Sequence, residues 1–313
     1  MQNNSVQYEP IKLHPENPHY FLFRDKPTIL FTSGEHYAVV MNKHFDYIKY
    51  LDTLQSLGFN HTRVYTGVKR ERPGEHNIDG NSLAVLAEDF IGPWKRTDIP
   101  GALDGGNLYD LDQFDDEYFD RFKAVLEAAS ERGIELEIIL FGPLHLGGDN
   151  VGPWGVCPLN PVNNINLKGE YEFDKVLSLQ YEDMVAYMDK YVVKMVTELN
   201  DFDNFHFEIA NEPYTYPGRW REGQSIYSSE ALRLPWQQHV ANLVFDTEAK
   251  LKYHHLISCN YSAGYGEIDK PLEHVGLYCY HYVHPETVKR NAALNVAIGM
   301  NETGINTSGK YAR

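Results

Sequence analysis

Two glutamates, each placed at the end of an apolar run, are the residues of this sequence best suited to do chemistry. Glu212 lies in the run PheGluIleAlaAsnGluProTyr at residues 207–214, and Glu302 ends the apolar run that begins at Ala297. Hydrolysis of a glycosidic bond needs two carboxyl groups with different pKa values, one protonated to assist the leaving group and one ionised to attack the sugar. The pattern favours paired-carboxyl chemistry of this kind.

The run around Glu212 also predicts which way its side chains point. In an extended strand, residues 208, 210 and 212 share one face, while Phe207 and Ile209 point to the other. We therefore expect Glu208 and Glu212 to face the same interior, with Glu212 at the C-terminal rim. Glu208 is interpreted as a paired structural carboxylate.

The elements that must position these residues alternate between short apolar runs and longer helical segments. Seven runs are predicted to be strands, at residues 28–31, 62–65, 135–141, 205–210, 256–260, 276–282 and 296–300. Helices are predicted from apolar faces at Phe45, Ile48, Leu51 and Leu54, at Phe119, Phe122, Leu126 and Ala129, at Met184, Met188, Tyr191, Met195 and Leu199, and over 236–251. Strand and helix repeats of this kind predict an α/β fold, a TIM (β/α)8-type barrel.

The whole chain, residues 1–313, is predicted to be one catalytic barrel domain. An N-terminal hairpin at 18–32 is expected to supply the first barrel strand as its second arm, while its first arm plugs the barrel floor. After Glu302, residues 303–313 contain no predicted strand or helix. We therefore expect a barrel truncated after its seventh strand, lacking the eighth βα unit and open between strands one and seven.

With the strands counted, the chain resembles the clan A, or 4/7, retaining glycoside hydrolases, and is most similar to the cellulase-like family 5 group. The resemblance extends along nearly the whole chain and is carried by Asn211–Glu212 after the fourth predicted strand and Glu302 at the end of the seventh. It implies that Glu212 is the acid/base and Glu302 the nucleophile. An Arg ending strand two is typical of the clan, and Arg63 matches it; it would hold Glu302 ionised or neutralise Glu208.

The resemblance also implies a His or Tyr on strand six that contacts the nucleophile or substrate. The run TyrHisTyr at 280–282 departs from the usual His-x-Tyr spacing, because Val283 stands where the Tyr would be, so either His281 or Tyr282 could serve. Trp154 and Trp220 are candidates for stacking on sugar rings or for packing within loops. Glu35 and His36 could line the pocket or cap the next helix.

Composition and charge limit the partners. The net charge of −16 argues against nucleic acid, anionic membrane surfaces and polyanionic substrates, so we expect a neutral oligo- or polysaccharide such as a β-glucan or mannan. No cofactor is expected, and the candidate metal ligands His36, His145, His281 and His284 are not clustered along the chain. The alternatives are a catalytically inactive carbohydrate-binding barrel and a metal-dependent barrel hydrolase.

The cysteines and the N-terminal residues predict the state of the thiols and the location of the protein. Cys157, Cys259 and Cys279 are predicted to be buried thiols, because they are few and widely spaced. The first residues lack the pattern of a signal peptide, which predicts a cytoplasmic protein if the N-terminus is complete and a secreted one if a signal peptide was removed. The oligomeric state is left open.

Overall fold

The computed structural model describes residues 8–32, 38–75, 81–144, 152–213, 230–263 and 266–302. The strands are β1 (Lys12–His14), β2 (Asn17–Phe23), β3 (Lys26–Thr28), β4 (His61–Tyr65), β5 (Trp94–Pro100), β6 (Asn107–Phe114), β7 (Glu135–Phe141), β8 (Phe205–Ala210), β9 (Ile257–Ala263), β10 (Leu277–His281) and β11 (Ala297–Glu302). The helices are α1 (Tyr47–Ser56), α2 (Asp116–Glu131), α3 (Gly152–Val156), α4 (Glu182–Leu199), α5 (Glu230–Glu248) and α6 (Pro285–Asn291).

The ends of α1 and α2 are set by capping residues. Asp46 and Asp115 each precede a helix and accept a hydrogen bond from a backbone N–H of its first turn. Gly58 and Gly133 follow the helices with φ of 81° and 68°, a left-handed conformation that glycine adopts without steric cost. Each glycine lets the chain turn directly into the next strand, as the sequence predicted.

The predicted helical faces of α2 and α4 are the buried ones. Their buried residues include Phe119, Phe122, Leu126, Ala129, Met184, Met188, Tyr191, Met195 and Leu199. In α1, Leu51 and Leu54 are buried, whereas Ile48 is 42% exposed and lies outside the buried face. The main hydrophobic core is formed where these faces pack against the sheet.

Six strands form one parallel sheet in the order β4, β7, β8, β9, β10, β11. They are the second to seventh predicted strands. If this sheet were flat, its edge strands β4 and β11 would lie about 24 Å apart at the usual strand spacing. Yet Arg63 Nη1 on β4 lies 3.1 Å from the backbone oxygen of Asn301 on β11. The sheet is therefore curled into the greater part of a barrel.

The expected first barrel strand is corrected by the structure. A hairpin forms as β2 pairs with β3, but β3 ends at Thr28, and residues 29–32 are in no strand. The hairpin and β1 make a separate three-stranded antiparallel sheet. The side chain of Asn60 instead holds the neighbouring segment, since it accepts from Phe31 N–H at 2.8 Å and donates to Ile29 O at 2.9 Å. The backbone N–H of Asn60 also donates to Phe31 O at 3.1 Å, so one backbone hydrogen bond and the Asn60 side chain together hold this segment.

The small N-terminal sheet packs under the starts of β10 and β11. Phe21 and Phe23 form a second hydrophobic cluster with Leu277 and Ala297, the first residues of those two strands. Arg24 donates to both carboxylate oxygens of Asp203, just before β8, at 2.8 and 3.0 Å. These contacts place the sheet at the N-terminal end of the barrel.

The three cysteines are buried and free, as predicted. Burial raises the pKa of Cys157 and of Cys259 to about 12, so both thiols stay protonated at neutral pH. Within the described part of the chain, none of the helices is long and apolar enough to span a membrane.

The interior of the barrel near its N-terminal end is polar. Glu135 bridges His61 Nδ1 at 2.7 Å and His206 Nδ1 at 2.6 Å, and Glu137 lies 3.6 Å from His61 Nε2. Burial alone lowers the pKa of His61, but the carboxylates of Glu135 and Glu137 outweigh it and raise the pKa from 6.5 to about 9. His61 is therefore a cation in the folded protein at neutral pH.

This raised pKa predicts a loss of stability at alkaline pH. Since the folded pKa of His61 exceeds its unfolded value, its contribution is complete below about pH 6.5 and disappears as pH rises to about 9. We expect the free energy of unfolding to fall by roughly 3 kcal/mol or less over that window. Urea unfolding at a series of pH values measures it, and His61→Gln should flatten the curve.

His44→Gln is the matched control, because the side chain of His44 is 76% exposed and pairs only at the surface with Asp89. It should keep the wild-type pH dependence. An unchanged slope in His61→Gln would show that His61 is not the titrating group.

Candidate active site

The candidate site lies at the C-terminal ends of the parallel strands. Parallel strands bring these ends to one edge of the barrel, where its binding loops lie. Residues from β4, from β10 and β11, and from the turns after β8 and β10 meet there, namely Arg63, Asn211, Glu212, His281, Tyr282 and Glu302.

Glu212 reaches the site through a turn, not through strand alternation. The strand β8 ends at Ala210, and Glu212 has a φ of +47°, which is rare for a residue with a side chain. Its backbone N–H donates to Asn260 Oδ1 at 3.1 Å. Asn211 and Glu212 consequently point into the barrel one after the other, an arrangement that the sequence pattern did not predict.

A bulge does the same for Glu302. The register between β10 and β11 shifts so that Tyr280 pairs with Met300 and His281 with Glu302, leaving Asn301 as the extra residue. Such a bulge lets two consecutive side chains face the same side of the sheet. Asn301 and Glu302 both turn inward, one to the buried polar network and one to the mouth.

His281 lies between the two candidate carboxylates. Its Nδ1 is 2.9 Å from Glu212 Oε1, a hydrogen bond, and 3.4 Å from Glu302 Oε2. One carboxylate oxygen of Glu212 and one of Glu302 lie within 4.8 Å of each other. The imidazole is fully buried, while the side chains of Glu212 and Glu302 remain 12% and 15% exposed. The carboxylates face the mouth, and the imidazole supports them from below.

Glu302 has a cation and a hydrogen-bond donor beside it. Arg63 Nη1 lies 3.7 Å from Glu302 Oε2, and the Tyr282 hydroxyl donates to Glu302 Oε1 at 3.2 Å. Tyr282 also donates its backbone N–H to the Glu302 carbonyl at 2.9 Å. The sequence left open whether His281 or Tyr282 contacts the nucleophile. In the structure, both residues contact the pair of carboxylates.

Arg63 is the centre of a buried network below Glu302. Its Nε donates to Glu137 at 2.8 Å, and its Nη2 donates to Glu208 at 2.9 Å and to Asn211 Oδ1 at 2.8 Å. Asn301 Nδ2 donates to the same two carboxylates at 2.7 and 2.6 Å. Arg63 thus contacts both Glu208 and Glu302, the two carboxyl groups that the sequence offered as its alternative partners.

The two buried carboxylates differ in protonation. Burial and the charge of Glu137 raise the pKa of Glu208 well above its usual range. Burial also acts to raise the pKa of Glu137, but the charge of Arg63 outweighs it and holds that pKa well below its usual range. Arg63 is therefore balanced mainly by Glu137, while Glu208 acts as a hydrogen-bonding partner.

The other predicted binding residues are not brought into this group. Trp154 lies in α3 and is 3% exposed within the main core, so it offers a sugar no open ring face. His284 caps α6 by accepting from Glu286 N–H. Trp220, Glu35, His36 and the candidate ligand His145 lie outside the described residues.

Several site residues were missed from the sequence. Asn260 and Asn301 support the turn that carries Glu212 and the bulge that carries Glu302. Tyr65 is buried close enough to both glutamates to be influenced by their charges. Burial raises the pKa of the Tyr65 phenol well above its usual range, and the charges of Glu302 and Glu212 add to that rise. For Tyr65 the available signal was the polar residue at every second position of β4, at His61, Arg63 and Tyr65.

Within the described ranges, two groups of side chains have a spacing that a cation could use. One is Glu212, His281 and Glu302, and the other is Glu137, Glu208 and Cys279. In the second group, both carboxylates accept hydrogen bonds from Arg63, which already supplies a positive charge.

Comparison with solved structures identifies the fold. A candidate glycoside hydrolase from Bacteroides vulgatus superimposes with a TM-score of 0.58 at 15% identity, covering 95% of this chain and 48% of its own. A glycoside hydrolase family 5 protein from the same organism gives 0.51 at 11%, covering 97% and 56%. The endo-1,4-beta-mannanase of Rhizomucor miehei gives 0.58 at 14%, covering 96% and 83%. No protein-family model and no curated protein sequence match the chain.

These similarities show that the chain has the TIM-type barrel fold of family 5 glycoside hydrolases. The chain spans about half of the length of the two Bacteroides vulgatus proteins, at 48% and 56%. The six parallel strands described here are the barrel strands predicted as the second to the seventh.

The network around Arg63 predicts a large effect of removing its charge. Arg63→Met should lower the free energy of unfolding by about 3–5 kcal/mol, because the buried carboxylate of Glu137 would lose its main cationic partner and keep the more distant His61. Arg63→Lys keeps the charge but not the forked donors, so we expect a loss of roughly 1–3 kcal/mol. Chemical denaturation at pH 7 measures both.

Arg132→Lys is the control, since Arg132 pairs with the 58% exposed side chain of Asp52 at the surface. Its cost should stay below about 1 kcal/mol. If Arg63→Met were as stable as this control, the buried network would not depend on the guanidinium.

Proposed function

We propose that the chain is a retaining glycoside hydrolase that cleaves a neutral β-linked polysaccharide by double displacement. The observation that carries the proposal is that one carboxylate oxygen of Glu212 and one of Glu302 lie within 4.8 Å of each other at the mouth of the barrel. Retaining enzymes hold their carboxyl groups about 5–5.5 Å apart, whereas inverting enzymes leave roughly 6.5–9.5 Å for a water molecule. The observed spacing supports direct attack by one of the carboxylates.

The surroundings of the two glutamates support a division of labour. Arg63 and Tyr282 give Glu302 a cation and a hydrogen-bond donor, which suits a carboxylate that must attack as an anion. Glu212 is hydrogen-bonded to His281 and faces the mouth, which suits proton exchange with a leaving group or water. Glu302 is therefore the proposed nucleophile and Glu212 the proposed acid/base.

In the first step, a Glu302 oxygen bonds to the anomeric carbon as the glycosidic bond breaks, and Glu212 gives its proton to the departing oxygen. In the second, the Glu212 carboxylate takes a proton from water, and the water oxygen displaces Glu302 from the anomeric carbon. Two inversions at that carbon return its original configuration. Asn211 is proposed to bind substrate beside Glu212, since its side chain is held by Arg63.

The proposed substrate is an uncharged β-linked glycan. The net charge of −16 disfavours polyanionic glycans, and the similarity in fold to the Rhizomucor miehei endo-1,4-beta-mannanase makes a β-1,4-mannan the first choice, with β-glucans next. Trp220, Glu35 and His36 stay predicted contacts to this substrate.

Two substitutions test the roles. Glu302→Gly should abolish hydrolysis of all substrates, and azide should restore turnover by entering the vacated space and giving a glycosyl azide of inverted configuration. Glu212→Ala should still form the glycosyl-enzyme from aryl glycosides with good leaving groups, and azide should then give a product of retained configuration. The configuration of each product is measured by NMR.

Glu131→Ala is the control, because the side chain of Glu131 is 71% exposed at the end of α2, and it should retain full activity. Identical azide products from the two variants, or substantial activity in Glu302→Gly, would mean that another residue is the nucleophile. Loss of wild-type activity to a chelator would favour a metal-dependent hydrolase, and no cleavage of any glycoside would favour a binding barrel.

A further inference from the structure

Two asparagine side chains connect the turn that carries Glu212 to the bulge that carries Glu302. We propose that Asn260 and Asn301 form a positioning bridge that sets the distance between the two carboxylates. The inference rests on the proposed roles of Glu212 and Glu302, and it adds two residues to which the proposed mechanism assigns no step.

The bridge begins at the turn after β8. Asn260, fully buried on β9, accepts from the backbone N–H of Glu212 at 3.1 Å. Its Nδ2 donates to Asn301 Oδ1 at 3.3 Å. One side chain therefore holds the left-handed backbone of Glu212 and contacts the residue that precedes Glu302.

The bridge continues from Asn301 into the buried network. Asn301 Nδ2 donates to Glu137 Oε1 at 2.7 Å and to Glu208 Oε2 at 2.6 Å, while its backbone oxygen accepts from Arg63 Nη1 at 3.1 Å. Asn301 is thus fixed by both its side chain and its main chain. These hydrogen bonds hold the bulge of β11 in place.

The donors and acceptors of the bridge can be assigned in only one way. At one end, the N–H of Glu212 can only donate, so Asn260 must turn Oδ1 toward it and Nδ2 toward Asn301. At the other end, Glu137 is an ionised acceptor, so Asn301 must turn Nδ2 toward it and Oδ1 toward Asn260. Both amides satisfy their neighbours in this orientation.

The bridge acts where strand geometry gives no support. Glu212 stands two residues beyond the end of β8 at a φ of +47°, and Glu302 follows the extra residue of a bulge. Each of these conformations persists only when neighbouring contacts stabilise it. Because a displacement of about 1 Å can cost roughly 100-fold in rate, a direct link between the two turns has a measurable consequence.

Three variants test the bridge. Asn260→Ala removes both of its hydrogen bonds, and Asn260→Asp keeps the acceptor for Glu212 but has no hydrogen to give Asn301. Asn204→Ala is the matched control: Asn204 is equally buried and donates two hydrogen bonds, to Leu126 and Ile134, at the opposite end of β8. Each variant and the wild type are crystallised, and kcat/KM is measured on a manno-oligosaccharide and on an activated aryl mannoside.

In Asn260→Ala, the nearest oxygens of Glu212 and Glu302 should separate by about 1 Å more than in the wild type, with Glu212 leaving its left-handed conformation. Since Glu212 would lose its position for proton transfer, kcat/KM should fall roughly 100-fold on the oligosaccharide and by less than about fivefold on the aryl mannoside. Asn260→Asp should show the same pattern to a smaller degree. Asn204→Ala should lose stability but change neither the separation nor the ratio of the two rates.

An unchanged carboxylate separation in both Asn260 variants would overturn the bridge. So would equal falls on the two substrates that match the loss in Asn204→Ala, because general destabilisation does not distinguish leaving groups. If the wild type cleaved no glycoside, the proposed function would fail, and the crystallographic separation would still decide whether the bridge exists.

Discussion

The buried guanidinium of Arg63 is the interaction on which the site depends. Taking this charge out of water is costly unless every donor finds an acceptor, and the acceptors come from several strands: Glu137, Glu208, Asn211 and the backbone of Asn301. These partners lie on β7, on β8 and the turn after it, and on β11. To satisfy Arg63, the sheet must bring its two edges together and hold the turns before Glu212 and Glu302 in fixed positions.

The barrel interior is correspondingly polar where barrels usually contain packed branched apolar side chains. Near the N-terminal end, Glu135 joins His61 and His206, and Arg63 lies above them between the carboxylates. The hydrophobic stabilisation comes mainly from the outer faces of the strands, packed against α2 and α4. Buried ion pairs of this kind add little net stability compared with apolar packing, but they fix orientation. The interior orients the site, while the outer shell stabilises the fold.

Much of this arrangement follows from sequence periodicity. Six of the seven predicted strands are present, with ends within three residues of the predicted ones, because apolar runs and glycine stops are local signals. The exception, residues 28–31, has strand-forming composition but is held by the side chain and one backbone N–H of Asn60, a distant contact that no local pattern reveals. Glu212 and Glu302 could be placed from strand ends, whereas Arg63 was indicated by the resemblance to the 4/7 glycoside hydrolases. Asn260 and Asn301 could not, since their partners lie far away in sequence and depend on the curl of the sheet.

The candidate site lies where the backbone departs from regular strand geometry. Alternation allows a strand to point only every second side chain inward, yet Asn211 and Glu212 both contact the interior, as do Asn301 and Glu302. The left-handed backbone at Glu212 and the bulge in β11 make this possible, and Tyr282, at a φ of +54°, is a third departure beside the same pocket. The left-handed conformations of Glu212 and Tyr282 cost about 1–3 kcal/mol each. These departures from regular strand geometry are grouped around the two carboxylates. At this end of the barrel, the backbone brings polar side chains together at the expense of regular hydrogen bonding between strands.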